Sequence, residues 1–232
     1  MSAELPLPRE VEPDEESERE ERSAENSKAY HPKEQDLRNP PVGPSLAESI
    51  TLILASRSPR RREILKQARL HHKIRPVDIN EKYYFGESPR SYVLRLAIAK
   101  AREAKRPGET ILAADTTVVV DKLVFGKPEE ELEARYMLRK LSGRRHHVMT
   151  AICLLHKDEM FTAVETTAVD FLKLSNEEIE AYIATGEPFD KAGGYGIQGT
   201  GAKFVKRIVG CYYNVVGLPI FKVYDLIRSS LR

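Results

Sequence analysis

Ser56, Ser58, Arg60 and Arg61 fall within six consecutive residues, a spacing that puts two hydroxyls and two guanidinium forks around one small volume. Such a set binds phosphate: Arg forks match phosphate oxygens bidentately, and hydroxyls add directed hydrogen bonds. The flanking residues sharpen the reading. Leu52-Ile53-Leu54-Ala55 is a short apolar run of buried-strand type, and Ile64, Leu65 and Ala68 follow at helical spacing. Ser58 suits a helix N-cap and Pro59 the first helical turn. The segment therefore predicts strand, tight turn and helix N-terminus. A helix N-terminus carries positive partial charge and favours anions. Two arginines there point to an anion that offsets them; the alternative is that both splay into solvent.

A second group is spread along the chain. Asp115 ends the apolar run Thr110-Ile111-Leu112-Ala113-Ala114, at the strand end where α/β folds bind ligands. A carboxylate there can hold Mg²⁺ or orient a water, although an Asp alone would equally begin a turn. Lys100 lies on a helical pattern, and Lys127 sits in the tight return Gly126-Lys127-Pro128. Residues 72–77 alternate weakly and read as a second strand, and Glu81, in the loop after them, adds a second carboxylate. Basic groups for phosphates beside acidic groups for a metal suit phosphoanhydride cleavage, where catalysis is mostly positioning and charge neutralisation.

The third signal is residues 190–201, Asp-Lys-Ala-Gly-Gly-Tyr-Gly-Ile-Gln-Gly-Thr-Gly, with five glycines in the nine positions 193–201. Glycines at that density allow close backbone approach to a ligand, or serve structure alone. The stretch is no P-loop, because its lysine precedes the glycines. Gln198 offers a donor and an acceptor side by side, matching the imide edge of uracil or thymine. His146 and His147 form no metal pattern and read as surface and strand positions; Cys153 reads as core.

The elements that must position these groups follow from periodicity. Residues 88–104 read as a helix opened by Ser88-Pro89 with Val93, Leu94, Leu96, Ala97 and Ala101 buried. The strand from Thr110 continues through Thr117 to Val120, turns at Asp121-Lys122 and returns through Leu123-Val124-Phe125. Residues 129–141 are helical. Residues 147–156 and 160–172 form an antiparallel strand pair, and Ser175 to Glu178 is a capping box. Phe204-Val205 and Ile208-Val209 read as a short strand pair, and a last helix runs over residues 220–227. The fold class is α/β with a mixed central sheet, not regularly doubly wound.

Charge divides the chain. Residues 1–50 hold 13 acidic and 6 basic residues, net −7, so the remainder carries +9 within an overall +2. Residues 1–45 are Glu-, Pro- and Ser-rich and predict a disordered acidic tail, with a short exposed helix possible over 15–27. The folded domain is expected over residues 50–232. Its basic surplus points to an anionic partner, and the lack of aromatic–basic interleaving favours a small phosphorylated ligand over nucleic acid. Two cysteines far apart fit a reducing, cytoplasmic setting, and no stretch predicts a membrane span or a secretory leader.

These segments together resemble the Maf family of nucleoside triphosphate pyrophosphatases. LASRSPRRREIL, RLAIAKA, AADTTVVVD, GKP, MLRKLSGRRHHVMTA, GEPFDKAGGYGIQG and NVVGLP stand in family order from about Leu52 to Leu226. The resemblance implies an elongated mixed sheet flanked by helices around a central nucleotide cleft, akin to ITPase-like folds. It implies Mg²⁺- or Mn²⁺-dependent release of pyrophosphate, often by a homodimer. Asp115 matches the proton acceptor. Arg60, Thr116 and Gln198 match positions tied to substrate choice in the branch acting on dTTP and UTP. Ser56, Arg61, Lys100 and Lys127 match phosphate-side residues, and Glu81 joins Asp115 on the metal side. Ala114 stands where Gly is common and Gly126 where many members carry Glu. The expected activity is house-cleaning hydrolysis of dTTP, UTP and modified pyrimidine nucleotides. The rival reading is a non-catalytic nucleotide sensor linked to cell division.

Overall fold

Strand β3 (Thr110–Val120) is the spine of the structure, a computed structural model that describes residues 50–232. The acidic tail expected over residues 1–45, with its short helix over 15–27, lies outside those residues. β3 pairs in parallel with β1 (Leu52–Leu54), which pairs in parallel with β2 (His72–Ile74). On its other side β3 runs antiparallel to β5 (Arg145–His156), then β6 (Glu159–Phe171) and β7 (Val205–Val209) follow, also antiparallel. The order is β2-β1-β3-β5-β6-β7, with the short β4 (Leu123–Phe125) also on β3, so the sheet is mixed as expected.

β3 serves three packed clusters because alternate residues face opposite sides of a strand. Ile111 and Ala113 pack with Val93, Leu96, Ala97 and Ala101 of helix α2 (Pro89–Ala104). Leu112 and Ala114 pack on the other face with Ile64 and Leu65 of helix α1 (Pro59–Gln67). Val118 and Val120, further along, pack with Ala134 and Leu138 of α3 (Glu131–Leu141) and Ile179 of α4 (Asn176–Ile183). Burying these side chains contributes about 1.5–3 kcal/mol for each large aliphatic. Between the last two clusters β3 crosses a gap, and the polar run Asp115-Thr116-Thr117 lies there.

Local chemistry explains most element ends. Ser58 caps α1 by accepting from the Arg61 N–H, and Ser88 caps α2 by accepting from Ser91. The Ser175 and Glu178 capping box forms in both directions. Asp121 and Lys122 take left-handed φ values of 47° and 67°, the tight two-residue hairpin turn between β3 and β4.

Two expectations change. Residues 204–209 form one strand, β7, not a pair: Phe204 ends a 3₁₀ turn (Thr200–Phe204) and is buried, while Val205–Val209 pairs with β6. The extended run after residue 71 stops at Ile74, because Arg75 turns aside to pair with Glu109 and to donate to the Ala104 carbonyl at the end of α2. A five-residue helix, α5 (Tyr212–Val216), precedes α6 (Ile220–Ser230); five residues are too few to show a helical period in sequence.

Candidate active site

The site exists because β1 is short. Its last ladder partner on β3 is Leu112, and β4 takes up that edge again only at Val118. Between them β3 has no strand neighbour on that side, and a cleft of about 460 Å³ opens there, a volume suited to a small-molecule ligand. Its walls include the loop after β1, α1, β3, residues 126–127 and the glycine-rich segment.

A side chain fills part of the missing ladder. Arg61 Nη1 donates to the Ala114 carbonyl at 2.8 Å and to Ser56 Oγ at 3.0 Å. Its Nε donates to the Gly217 carbonyl at 2.9 Å, and Nη2 to Thr116 Oγ1 at 3.0 Å. Four of its five N–H groups are thereby engaged by the protein. Burial pulls the guanidinium below its usual range, Asp115 opposing and Arg60 reinforcing that pull. Arg60 reaches across the cleft and donates to Asp190 twice, to Oδ2 at 2.7 Å and to the main-chain carbonyl at 2.9 Å. The two arginines at the α1 N-terminus are therefore held by protein acceptors, Arg60 by the Asp190 carboxylate and Arg61 by uncharged oxygens, and neither splays freely into solvent.

Asp115 points to the other face of β3, toward α2. It is 6% exposed, and Lys100 Nζ lies 2.6 Å from its Oδ1 and 2.6 Å from Glu81 Oε1. Burial raises the Asp115 carboxyl above its ordinary range, partly opposed by Lys100 and Arg61. A raised carboxylate is a stronger base. Lys127 is exposed at the cleft and has no ion-pair partner among the described residues. Loss of hydration beside the cleft lowers its ammonium, with Arg61, Lys100 and Arg60 adding repulsion and Glu81 opposing.

Gln198 lines the cleft from the glycine-rich segment and is exposed, with no partner for its carboxamide among the described residues. That segment is built around Glu187, a residue the sequence did not single out. Its Oε2 accepts from the Thr200 N–H at 2.8 Å, and Oε1 from the Tyr182 hydroxyl at 2.9 Å and the Gly201 N–H at 3.3 Å. A Cβ at Gly199 would lie 2.4 Å from Glu187 Oε1, and one at Gly193 2.8 Å from Val118. These glycines permit close approach to the protein's own side chains, the structural alternative of the two readings. Tyr195 anchors the segment from below: its hydroxyl lies 2.8 Å from His146 Nε2.

His146 is a correction. It is fully buried, edge-on to Phe171 and Tyr195, and burial drives its pKa down to about 3. The alternation of β5, with Arg145 and His147 exposed and His146 and Val148 buried, is the signal that locates it. Cys153 is buried as expected, and burial raises its thiol to about 11.

The structure thus brings Ser56, Arg60, Arg61, Glu81, Lys100, Asp115, Thr116, Lys127 and Gln198 to one cleft. No cluster of three or more acidic, His or Cys side chains able to hold a metal occurs among the described residues. Glu81 and Asp115 nonetheless share one ammonium, so their oxygens are no further apart than two 2.6 Å contacts allow. Two carboxylates with the rest of the shell from water and phosphate is how Mg²⁺ is commonly bound, so the residues present fit such an ion.

A mixed sheet with a cationic cleft at a broken strand edge, a buried carboxylate inside and a free carboxamide at its wall defines a phosphate-handling α/β protein. The chain belongs to the Maf-like protein family, whose model matches residues 51–230. It is 50% identical over 183 residues to a dTTP/UTP pyrophosphatase of Anaeromyxobacter dehalogenans, covering 77% of this chain and 93% of that one. A dTTP/UTP pyrophosphatase of Thermococcus onnurineus is 51% identical over 176 residues, covering 75% and 95% of the two chains. One from Vibrio parahaemolyticus is 45% identical over 189 residues, covering 80% and 100%.

Proposed function

We propose that this chain hydrolyses dTTP and UTP to the monophosphate and pyrophosphate, with modified pyrimidine nucleotides as further substrates in a house-cleaning role. The observation that carries the reading is Asp115: a buried carboxylate, raised above its ordinary range, placed among Lys100, Lys127 and the α1 arginines at the break in the sheet. The identity to pyrophosphatases named for dTTP and UTP supports the substrate.

In this reading the triphosphate lies toward α1 and Lys127, and the base toward Gln198. Lys127 approaches the phosphates without first leaving a carboxylate, and its ammonium is lowered first by lost hydration and then by the neighbouring cations, whose repulsion a polyphosphate would relieve. Ser56 keeps its own hydroxyl proton to donate, since its Oγ is used as an acceptor by Ser58 N–H and Arg61. Arg61 has one Nη2–H left for an oxygen and holds Thr116 in place. Asp115 accepts the proton of a water aimed at the α-phosphorus; the α–β anhydride bond breaks and pyrophosphate departs with the electron pair. Asp115 and Glu81 would hold Mg²⁺ or Mn²⁺, which when bound supplies charge neutralisation along the phosphates. Lys100 stands in for that charge between the two carboxylates. The free carboxamide of Gln198 is suited to read the O4 and N3–H edge of the pyrimidine.

The partner is a nucleoside triphosphate; a cytoplasmic homodimer is the form that the family resemblance implies. No helix among the described residues is long and apolar enough to cross a membrane. The sensor reading is disfavoured, because binding alone gives no reason for a buried, raised carboxylate beside a cationic cleft. Pyrophosphate release from canonical and modified nucleoside triphosphates, with and without Mg²⁺ or Mn²⁺, tests the reading. Metal-dependent release from dTTP and UTP is expected; binding of either without release in any metal would overturn it.

A further inference from the structure

Arg60 and Asp190 are 130 positions apart and meet across the cleft, the first at the N-terminus of α1, the second where the glycine-rich segment begins. The contact is two-pronged. One Nη donates to the Asp190 carboxylate and the other to the Asp190 main-chain carbonyl, so both the side chain and the path of the chain are gripped. Asp190 Oδ1 is held in turn by Lys191 Nζ at 2.5 Å, and the same ammonium donates to the Glu187 carbonyl at 2.7 Å. Glu187 organises the turn that carries Gln198. A continuous chain of charge-assisted contacts therefore runs from the phosphate side of the cleft to its base side. Burial would raise the Asp190 carboxyl, but hydrogen bonds from Lys191 and Arg60 hold it below its ordinary range.

We infer that Asp190 is a positioning residue for base selectivity: it clamps Arg60 and so sets the distance between the α1 phosphate site and Gln198. The inference rests on the hydrolytic reading above and adds to it a residue with no direct part in the chemistry. It also assigns Arg60 a means of acting on substrate choice. Held by Asp190, Arg60 shapes the wall that carries the base reader, and is not a free phosphate ligand. A clamp and a free ligand make opposite predictions for loss of Asp190. If Arg60 were a phosphate ligand restrained by Asp190, releasing it would strengthen binding. If the pair is a spacer, releasing it weakens recognition as much as losing Arg60 does.

The test is a double-mutant cycle with Arg60→Ala, Asp190→Ala and both, in the full chain. Asp190→Asn is a milder companion that keeps the side-chain volume. Kinetics on dTTP and dATP would be joined by hydrogen exchange of the amides of residues 190–201. Each single variant is expected to lose about threefold to tenfold in kcat/KM on dTTP, mainly through KM, and to narrow the dTTP-to-dATP ratio. The double variant should be no worse than the weaker single. Exchange in residues 190–201 should quicken alike in all three. Asp190→Ala with unchanged or improved kcat/KM, or losses that multiply in the double variant, would overturn the clamp. Wild-type protein that binds dTTP but releases no pyrophosphate would overturn the hydrolytic reading, and with it any role of the pair in substrate selection. Unchanged exchange in the single variants would overturn the clamp whatever the activity.

Discussion

Arg61 Nη1 donates to the main-chain carbonyl of Ala114 at 2.8 Å, at the point on β3 where β1 has already ended. A guanidinium here satisfies a strand carbonyl whose ladder partner is missing, and so keeps the sheet edge open for a ligand. The same side chain ties Ser56, Thr116 and Gly217 together, and Gly217 can present its carbonyl from a left-handed φ of 117°.

Arg61→Lys tests that bracing role. Lysine keeps the charge but has three donors on one nitrogen and cannot reach acceptors set around a planar fork. The variant is expected to lose about 2 kcal/mol of stability, as buried acceptors go unpaired. A drop of at least about tenfold in kcat/KM should accompany it, checked by denaturant titration and steady-state kinetics. If Arg61 served only as a charge near phosphate, lysine would preserve both.

Asp115→Asn should separate activity from stability. Burial raises the Asp115 carboxyl in the folded protein, so the folded state binds that proton more tightly than the unfolded chain does. Stability from this group is then present below the unfolded value near 3.8 and lost as pH rises through the folded value. At neutral pH the ionised carboxylate costs stability, and a neutral amide removes that cost. The variant should melt above wild type at pH 7.5, with the advantage shrinking as pH falls toward 4, while turnover falls by about a hundredfold or more. A lower melting temperature at pH 7.5 would contradict this.

His146 has the opposite sign for the same reason, because burial disfavours the charged form and for histidine that form is the protonated one. Burial depresses its pKa to about 3 from an ordinary value of 6.5, so it is neutral in the fold and charged in the unfolded chain below that value. Its contribution is complete above pH 6.5 and declines as pH falls toward 3, by at most about 1.4 kcal/mol per pH unit for one proton. His146→Phe keeps a ring beside Phe171 and Tyr195 but leaves the Tyr195 hydroxyl unpaired, a cost of about 1–3 kcal/mol at neutral pH. The variant should start lower and lose less stability between pH 6.5 and 4. Parallel pH profiles for the two proteins would refute the assignment.

How much of this was legible in sequence depends on where the information sits. Asp115 is visible because a carboxylate closing an apolar run breaks a clear pattern, although it lies in the middle of β3, paired with Ala151, and not at the expected strand end; Ser58-Pro59 is visible because caps act on neighbours in the chain. The partners of Glu187 were not, because two of its three donors are main-chain N–H groups, those of Thr200 and Gly201, which any residue except proline supplies. Arg60 and Asp190 lie too far apart in sequence for any spacing rule. The charge at the α1 N-terminus is therefore legible in sequence, while the acceptors that hold the two arginines in place are not. His146 was missed although the alternation of β5 carried the signal, because the neighbouring His147 and Arg145 made the run look polar.

Gln198 is the residue whose replacement should cost dTTP recognition and leave stability untouched. It is exposed on the glycine-rich wall, and its carboxamide donates to and accepts from no group among the described residues, so the fold makes no use of it. Its neighbours are fixed from elsewhere: Glu187 holds the Thr200 and Gly201 amides, and the Tyr182 hydroxyl accepts from the Gly196 N–H at 3.2 Å. Gln198→Ala should therefore leave the melting temperature within about 0.5 kcal/mol of wild type in stability terms, as for other exposed substitutions. A carboxamide oriented for the O4 and N3–H of an imide discriminates, because adenine presents its N6–H donor and N1 acceptor in the reverse order and on a larger ring. The dTTP-to-dATP ratio of kcat/KM should fall by about tenfold or more, through lower dTTP turnover at limiting substrate rather than better use of dATP. Gln198→Glu sharpens the point: a carboxylate only accepts, so it can meet the N3–H but repels O4, and should fare no better than alanine on dTTP. Selectivity that survives both substitutions would move base recognition from Gln198 to the main chain of the glycine-rich segment.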